Sequence, residues 1–163
     1  MKKGFFFLAF ISIAFVSTAQ NCDNLFVDLA KGTLNGVALT ESQETVKSKF
    51  PCFTGDSEDG GDFNCGGGVF YLNHDFFFYT GNDFLEVRRN FAGTISTPLL
   101  GLSKDEAIVK LGLGESVRSE MNYESEYLFF NTPYGCVRLV IENGLVDIVA
   151  MHTKPANDVI LCL

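Results

Sequence analysis

From residue 69 onward, apolar and polar positions alternate in short runs broken by turn residues, and this period of two predicts strands. The runs cover residues 69–72, 76–79 and 84–91 in the first half of the chain, and residues near 127–130, 134–141 and 145–151 in the second. Ahead of each set the spacing changes to that of a helix. Leu39-Thr40-Glu41-Ser42-Gln43-Glu44-Thr45-Val46-Lys47 returns as Leu102-Ser103-Lys104-Asp105-Glu106-Ala107-Ile108-Val109-Lys110. Each copy has a hydroxyl residue followed three positions later by an amide or acid, Thr40 with Gln43 and Ser103 with Glu106. That is the pattern of a capping box, which satisfies amides left unpaired at a helix start. Helices are therefore predicted over 41–50, ended by Pro51, and over 104–111, stopping at Gly112. A further short helix is predicted over 23–31, with Leu25, Phe26 and Leu29 on one face and Gly32 as its stop. Polar stretches, the glycine-rich 54–68 and the later 115–124, lead into the strands.

A helix followed by antiparallel strands, met twice, predicts an α+β fold of two tandem repeats. Each repeat is a capped helix packed on an antiparallel sheet, and the two sheets could join into one. The repeats span 20–92 and 93–163, with residues 1–19 set apart. The turns fix the registers. Asn143-Gly144 is a strong hairpin signal and sets Ile141 opposite Val146, Leu139 opposite Ile148 and Val137 opposite Ala150. Its counterpart in the first repeat is Asn82-Asp83, followed by Phe84-Leu85-Glu86-Val87 against Leu145-Val146-Asp147-Ile148. A turn centred on His74 sets Leu72 opposite Phe76 and Phe70 opposite Phe78, and the next sets Phe78 opposite Leu85 and Phe76 opposite Val87. One face is then hydrocarbon only, the expected core. The other collects Tyr71, Phe77, Tyr79, Phe84, Glu86 and Arg88, then Arg138, Val140, Asp147 and Val149, a half-wet mixture of rings and charge.

Lys2 and Lys3, the apolar run 5–16 and Ser17-Thr18-Ala19 have the form of a signal peptide cleaved near Ala19. The apolar run is too short to span a bilayer and none later approaches that length, so the mature chain is expected to be secreted or periplasmic, without a transmembrane segment. Losing two lysines lowers the formal charge of −8 further, which disfavours nucleic acid and anionic lipid as partners. Cys22, Cys52, Cys65, Cys136 and Cys162 all lie in the mature part and read as disulfides with one cysteine left over. The acidic loop 55–62 fails the calcium-loop spacing, because the twelfth position from Asp56 is Gly67 where a glutamate is needed. Gly112-Leu113-Gly114 follows a helix and so is a stop, not a phosphate cradle. His74, His152 and Cys136 have no spacing that sets a nucleophile against an oriented base.

The paired Leu-[Ser/Thr]-x-x-[Gln/Glu]-x-x-Val-Lys motifs, the turns Phe50-Pro51 and Gly112-Leu113-Gly114, and the loop from Cys52 to Cys65 resemble the β-lactamase inhibitory protein family. They also resemble the wider superfamily that includes the small outer-membrane assembly lipoprotein domain (SmpA/OmlA). The resemblance covers nearly all of the mature chain, although the second repeat departs from it in having no cysteine after its helix. It implies that Cys52 and Cys65 are bonded to each other, and closing so short a loop is worth about 3 kcal/mol. Cys22, Cys136 and Cys162 are left without an assigned pairing. It further implies a concave, aromatic-rich sheet that covers a target and an acidic hairpin tip that enters the target's site. Asn73-His74-Asp75 before Phe76 is the nearest match, so Asp75 is the candidate tip.

The expected function is that of an exported, non-enzymatic, inhibitor-like binding module. Its partner-binding residues would be Tyr71, Asp75, Phe77, Tyr79, Phe84, Glu86 and Arg88, with no catalytic residue, metal or cofactor. The expected partner is a protein, either basic or an exported enzyme. The alternative is a cell-envelope assembly or structural adaptor of the SmpA/OmlA type, and the third reading is a small-ligand carrier or hydrolase.

Overall fold

In a computed structural model, residues 22–60 and 65–161 are described. The proposed signal peptide and Cys162 fall outside them. The fold is α+β, with two short helices and two sheets. Strands β1 (Phe26–Asp28), β2 (Thr33–Leu34), β3 (Val37–Ala38) and β8 (Thr94–Ile95) make a small sheet in the order β3-β2-β1-β8. The large sheet holds β4 (Gly55–Ser57), β5 (Gly68–Tyr71), β6 (Phe76–Tyr79), β7 (Phe84–Arg88), β9 (Arg118–Asn122), β10 (Ser125–Thr132), β11 (Gly135–Glu142) and β12 (Leu145–His152). Its order is β4-β5-β6-β7-β12-β11-β10-β9, antiparallel at every pairing. Helix α1 (Gln43–Lys49) precedes the first four of these strands and α2 (Lys104–Leu111) the last four. No described helix is long and apolar enough to cross a membrane.

The helix expected over 23–31 is a strand and a turn instead. Leu25, Val27 and Leu29 are all buried while Phe26 is exposed, which is the period of a strand. Val27 pairs with Leu34 on one side and Ile95 on the other. Asp28 then closes the turn, its Oδ1 accepting the Ala30 and Lys31 N–H groups at 3.1 and 3.2 Å. Helix α1 starts two residues later than the Thr40 pattern implied: Ser42 is the cap, its Oγ accepting the Thr45 N–H at 3.3 Å. At α2, Ser103 Oγ accepts the Glu106 N–H at 3.4 Å and Glu106 Oε2 accepts the Ser103 N–H at 3.0 Å. Gly112 ends that helix at φ 70°.

Two registers differ from expectation, and each difference exchanges faces. Between β5 and β6 the chain makes a 3-10 turn over Leu72–His74 with Asp75 in the left-handed region, one residue longer than a turn centred on His74. Tyr71 therefore pairs with Phe76 and Val69 with Phe78, and Tyr71 enters the core where Phe70 was expected. Its ring stacks on Phe76 at 4.1 Å and its hydroxyl donates to the Phe50 carbonyl at 3.0 Å. In the last hairpin Ile141 faces Val146 as the turn implied, but a bulge follows. Beyond it Leu139 faces Val149 and Val137 faces Met151, so Val149 joins the core and Ile148 is half-buried. The β6–β7 register, Phe76 with Val87 and Phe78 with Leu85, agrees with the reading of its turn.

The main core lies between the large sheet, the helices and the small sheet. Val46 of α1, Ala107 of α2, Leu25, Val27 and Leu99 cover Val69, Phe76, Phe78, Leu85, Val87, Leu139, Val146 and Val149. Cys22 is bonded to Cys52. This corrects the Cys52–Cys65 pairing: Cys65 is disulfide-bonded, but Cys52 is taken. The physical reason is that β1 and the end of α1 converge on one core, where Cys22 and Cys52 are both buried with their Cα atoms 5.8 Å apart.

Candidate functional site

The second face of the large sheet carries the candidate site. Strand alternation places Phe70, Phe77, Tyr79, Phe84, Glu86 and Arg88 there from β5 to β7. Pairing across β7, β12, β11 and β10 continues the face with His152 beside Phe84, Ala150 beside Glu86, and Arg138 between Ala150 and Phe129. The rings form a connected line. Phe70 lies 6.1 Å from Phe77 and 6.0 Å from Tyr79, Tyr79 stacks on Phe84 at 4.2 Å, and Phe84 stacks on His152 at 4.7 Å.

A line of charge crosses the rings. Glu86 accepts from Arg88 Nε at 2.8 Å and from Arg138 Nη2 at 3.1 Å. The Arg88 guanidinium lies 4.1 Å over the Phe77 ring, and that of Arg138 lies 5.9 Å from both Phe84 and Tyr127. Glu86 and Arg138 are only 6% and 5% exposed, so this is a buried ion pair. Desolvation pulls the Arg138 pKa below its ordinary value against the opposing pull of Glu86. Burial, with Glu86 adding to it, raises the Tyr79 phenol. Burial also takes His152 well below 6.5, with Arg138 and Lys154 pushing the same way.

The face is covered at one end and open at the other. Arg118 Nη1 donates to the Ala156 and Val159 carbonyls at 2.7 and 2.8 Å, and the Ala156 N–H donates to Asn131 Oδ1 at 3.0 Å. These bonds lay the C-terminal segment over Phe129 and Cys136, where Ala156 and Val159 complete a second small core. Burial pushes the Cys136 thiol up to about 11, and it is not in a disulfide. Toward β4 the face is open, with a groove of about 270 Å³ bounded, among the described residues, by Gly55, Ser57, Cys65, Gly67, Phe70, Leu72, Phe77 and Tyr79.

Of the residues expected to bind a partner, the structure brings Phe77, Tyr79, Phe84, Glu86 and Arg88 together on this face, but Phe77, Phe84 and Glu86 are buried there, covered by the neighbouring rings and arginines, and only Tyr79 and Arg88 stay partly accessible. Tyr71 is not among them: it belongs to the opposite, core face. Asp75 sits at the β5–β6 turn, where its Oδ2 accepts the Asn90 N–H at 2.8 Å and its carbonyl the Arg88 N–H at 2.9 Å. Arg138, Val140 and Val149, expected to be accessible, are buried: the β12 bulge turns Val149 into the core, and Arg138 lies among Glu86, Phe84 and Tyr127. Phe70, Leu72, Ser57 and Gly55 were missed as groove residues. A four-residue β5–β6 turn, in place of three, would have put Phe70 and Leu72 on this face. His74 Nδ1 faces Cys52 Sγ at 4.0 Å, and that sulfur is bonded to Cys22.

No family model, no curated protein and no solved structure matches this chain.

Proposed function

We propose that this chain is an exported, non-enzymatic binding module that presents the open half of its aromatic sheet face to a protein partner. The observation that carries the reading is the pair of partly exposed rings Phe70 and Tyr79, backed by buried Phe77 and Phe84, at an open, apolar groove. Interface energy concentrates in such aromatic and arginine anchors around a desolvated centre. The acidic balance of the chain favours a basic partner or an exported enzyme with a basic surface. On the same sheet His152 is buried and stacked on Phe84, and the Cys136 thiol lies in a buried cluster.

The reading of the chain as two tandem repeats, similar to the β-lactamase inhibitory proteins, is part of the same proposal. It is supported by the strand order, in which each helix precedes a four-stranded meander and the two meanders meet at β7 and β12. The test of function is substitution of Tyr79 and Phe70 by Ala. Partner capture from medium and envelope fractions should fall while the melting temperature changes little. Unchanged capture, or loss of the fold, removes the site. An adaptor role in the cell envelope is the second reading, and retention of the mature protein in the membrane fraction would favour it.

A further inference from the structure

The dipeptide Asn-Gly occurs twice in the chain, at Asn35-Gly36 and Asn143-Gly144. Both pairs form the tips of tight hairpins, the first between Leu34 and Val37 and the second between Glu142 and Leu145. Their backbones match: Asn35 and Asn143 have φ of 48° and 51°, and Gly36 and Gly144 have φ of 79° and 78°. All four residues are exposed, and nothing lies within 4 Å of where a Cβ would stand on either glycine.

Asparagine before glycine is chemically labile, because no Cβ shields the glycine nitrogen. That nitrogen, on losing its proton, attacks the asparagine Cγ. The N–Cγ bond forms, the side-chain nitrogen leaves as ammonia, and a cyclic succinimide results. Water then opens the ring at either carbonyl. One opening gives aspartate. The other gives isoaspartate, whose chain runs through the side chain and is longer by a methylene. The reaction needs the carboxamide to swing over the next peptide nitrogen, so its freedom to turn sets the rate.

Here the two sites part. Asn35 Oδ1 accepts the Phe26 N–H at 2.6 Å, and the Asn35 N–H donates to the Phe26 carbonyl at 2.8 Å. Its carboxamide is held back toward β1, and turning it onto Gly36 breaks that bond. The Asn143 side chain has no hydrogen bond among the described residues and is free to turn. The second hairpin also carries a load that the first does not. The Gly144 carbonyl accepts the Lys104 N–H at 3.2 Å, and Leu145 bridges to Ser103, the cap of α2. Val146 donates to the Leu102 carbonyl at 2.8 Å and accepts the Gly101 N–H at 2.9 Å. A methylene inserted at position 143 displaces Gly144 from the first of these contacts.

We propose that Asn143 is a site of spontaneous deamidation, with water as co-reactant, and that its isoaspartate form loosens the start of α2 from the β11–β12 hairpin.

The test incubates the oxidised, folded protein in mildly alkaline buffer and follows both asparagines by peptide mass spectrometry. Isoaspartate is scored by enzymatic methyl transfer to its carboxylate. Asn143 should convert about tenfold faster than Asn35, the factor expected when one site must first break a hydrogen bond. In the reduced, urea-unfolded chain the two rates should be alike, because the dipeptide is the same. The isoaspartate fraction, separated by its added negative charge, should show faster hydrogen exchange at the Lys104 amide than the unconverted protein. Asn143→Asp adds the charge without the methylene and should leave that amide protected. No conversion at Asn143 in the folded protein, or conversion of Asn35 as fast, overturns the site. Unchanged exchange at Lys104 in the isoaspartate fraction overturns the effect on α2. Equal loosening in Asn143→Asp overturns the role of the inserted methylene.

Discussion

Replacing Glu86 with Gln should destabilise the protein more than replacing either of its arginine partners. Glu86 is the shared acceptor of Arg138 at 3.1 Å and Arg88 at 2.8 Å, but the two arginines sit in different surroundings. The Arg138 side chain is 6% exposed and that of Arg88 is 41% exposed. Without the carboxylate, Arg138 becomes a buried cation with no counter-charge and with Arg88 close by, a situation that costs about 3–5 kcal/mol. Arg138→Met removes the buried cation along with its bond. Glu86 then keeps Arg88, and the loss should be about 1–2 kcal/mol. Arg88→Met breaks a half-exposed pair screened by solvent, worth about 0–1 kcal/mol. Urea unfolding of the oxidised protein, followed by circular dichroism and extrapolated to water, would give the three values. The expected order is Glu86, then Arg138, then Arg88. An Arg138→Met loss equal to or larger than that of Glu86→Gln would refute the account of Glu86 as the organising charge of this face.

Three further outcomes follow from the same structure. His152 has a folded pKa well below 6.5, so the unfolded chain binds more protons and stability should fall as pH drops below about 6.5; His152→Phe should flatten that fall when unfolding is compared at pH 7.5 and 5.5. Cys52→Ala should cost about 3–4 kcal/mol, as loop-closure entropy gives for a bond spanning 30 residues, and peptide mapping of the oxidised protein should join Cys22 to Cys52. With the bulge in β12, Val149→Ala should cost about 2 kcal/mol and Ile148→Ala less, although isoleucine loses more carbon; the reverse order in thermal unfolding would place the bulge wrongly.

Much of the fold could be read from local chemistry, and the failures share a cause. The boundaries of α2 and the β6–β7 register follow from a cap, a glycine stop and a short turn, all local signals. Leu25 and Leu29 fit either a helix or a strand, and Val27 decides between them only through its pairing with Leu34 and Ile95. A turn one residue longer exchanged Phe70 for Tyr71, and a bulge exchanged Ile148 for Val149. In both places either register leaves apolar residues facing the core, so composition could not correct it. Phe129 and Cys136 could be placed on the second face, but not buried there, because the segment that covers that end is bound through Arg118, Asn131 and backbone carbonyls distant in sequence. Such long-range polar contacts leave no periodic trace.

The central claim is that the open aromatic half of the sheet, and not the helical side, meets a partner. Photo-crosslinking from two exposed positions tests it most directly: Leu72, beside the groove, and Val109, 80% exposed on α2. A photoreactive phenylalanine analogue at position 72 should yield a discrete adduct with an exported protein, lost on Tyr79→Ala, whereas the same analogue at position 109 should yield none. An adduct formed as readily from position 109, or one from position 72 that survives Tyr79→Ala, would contradict the claim.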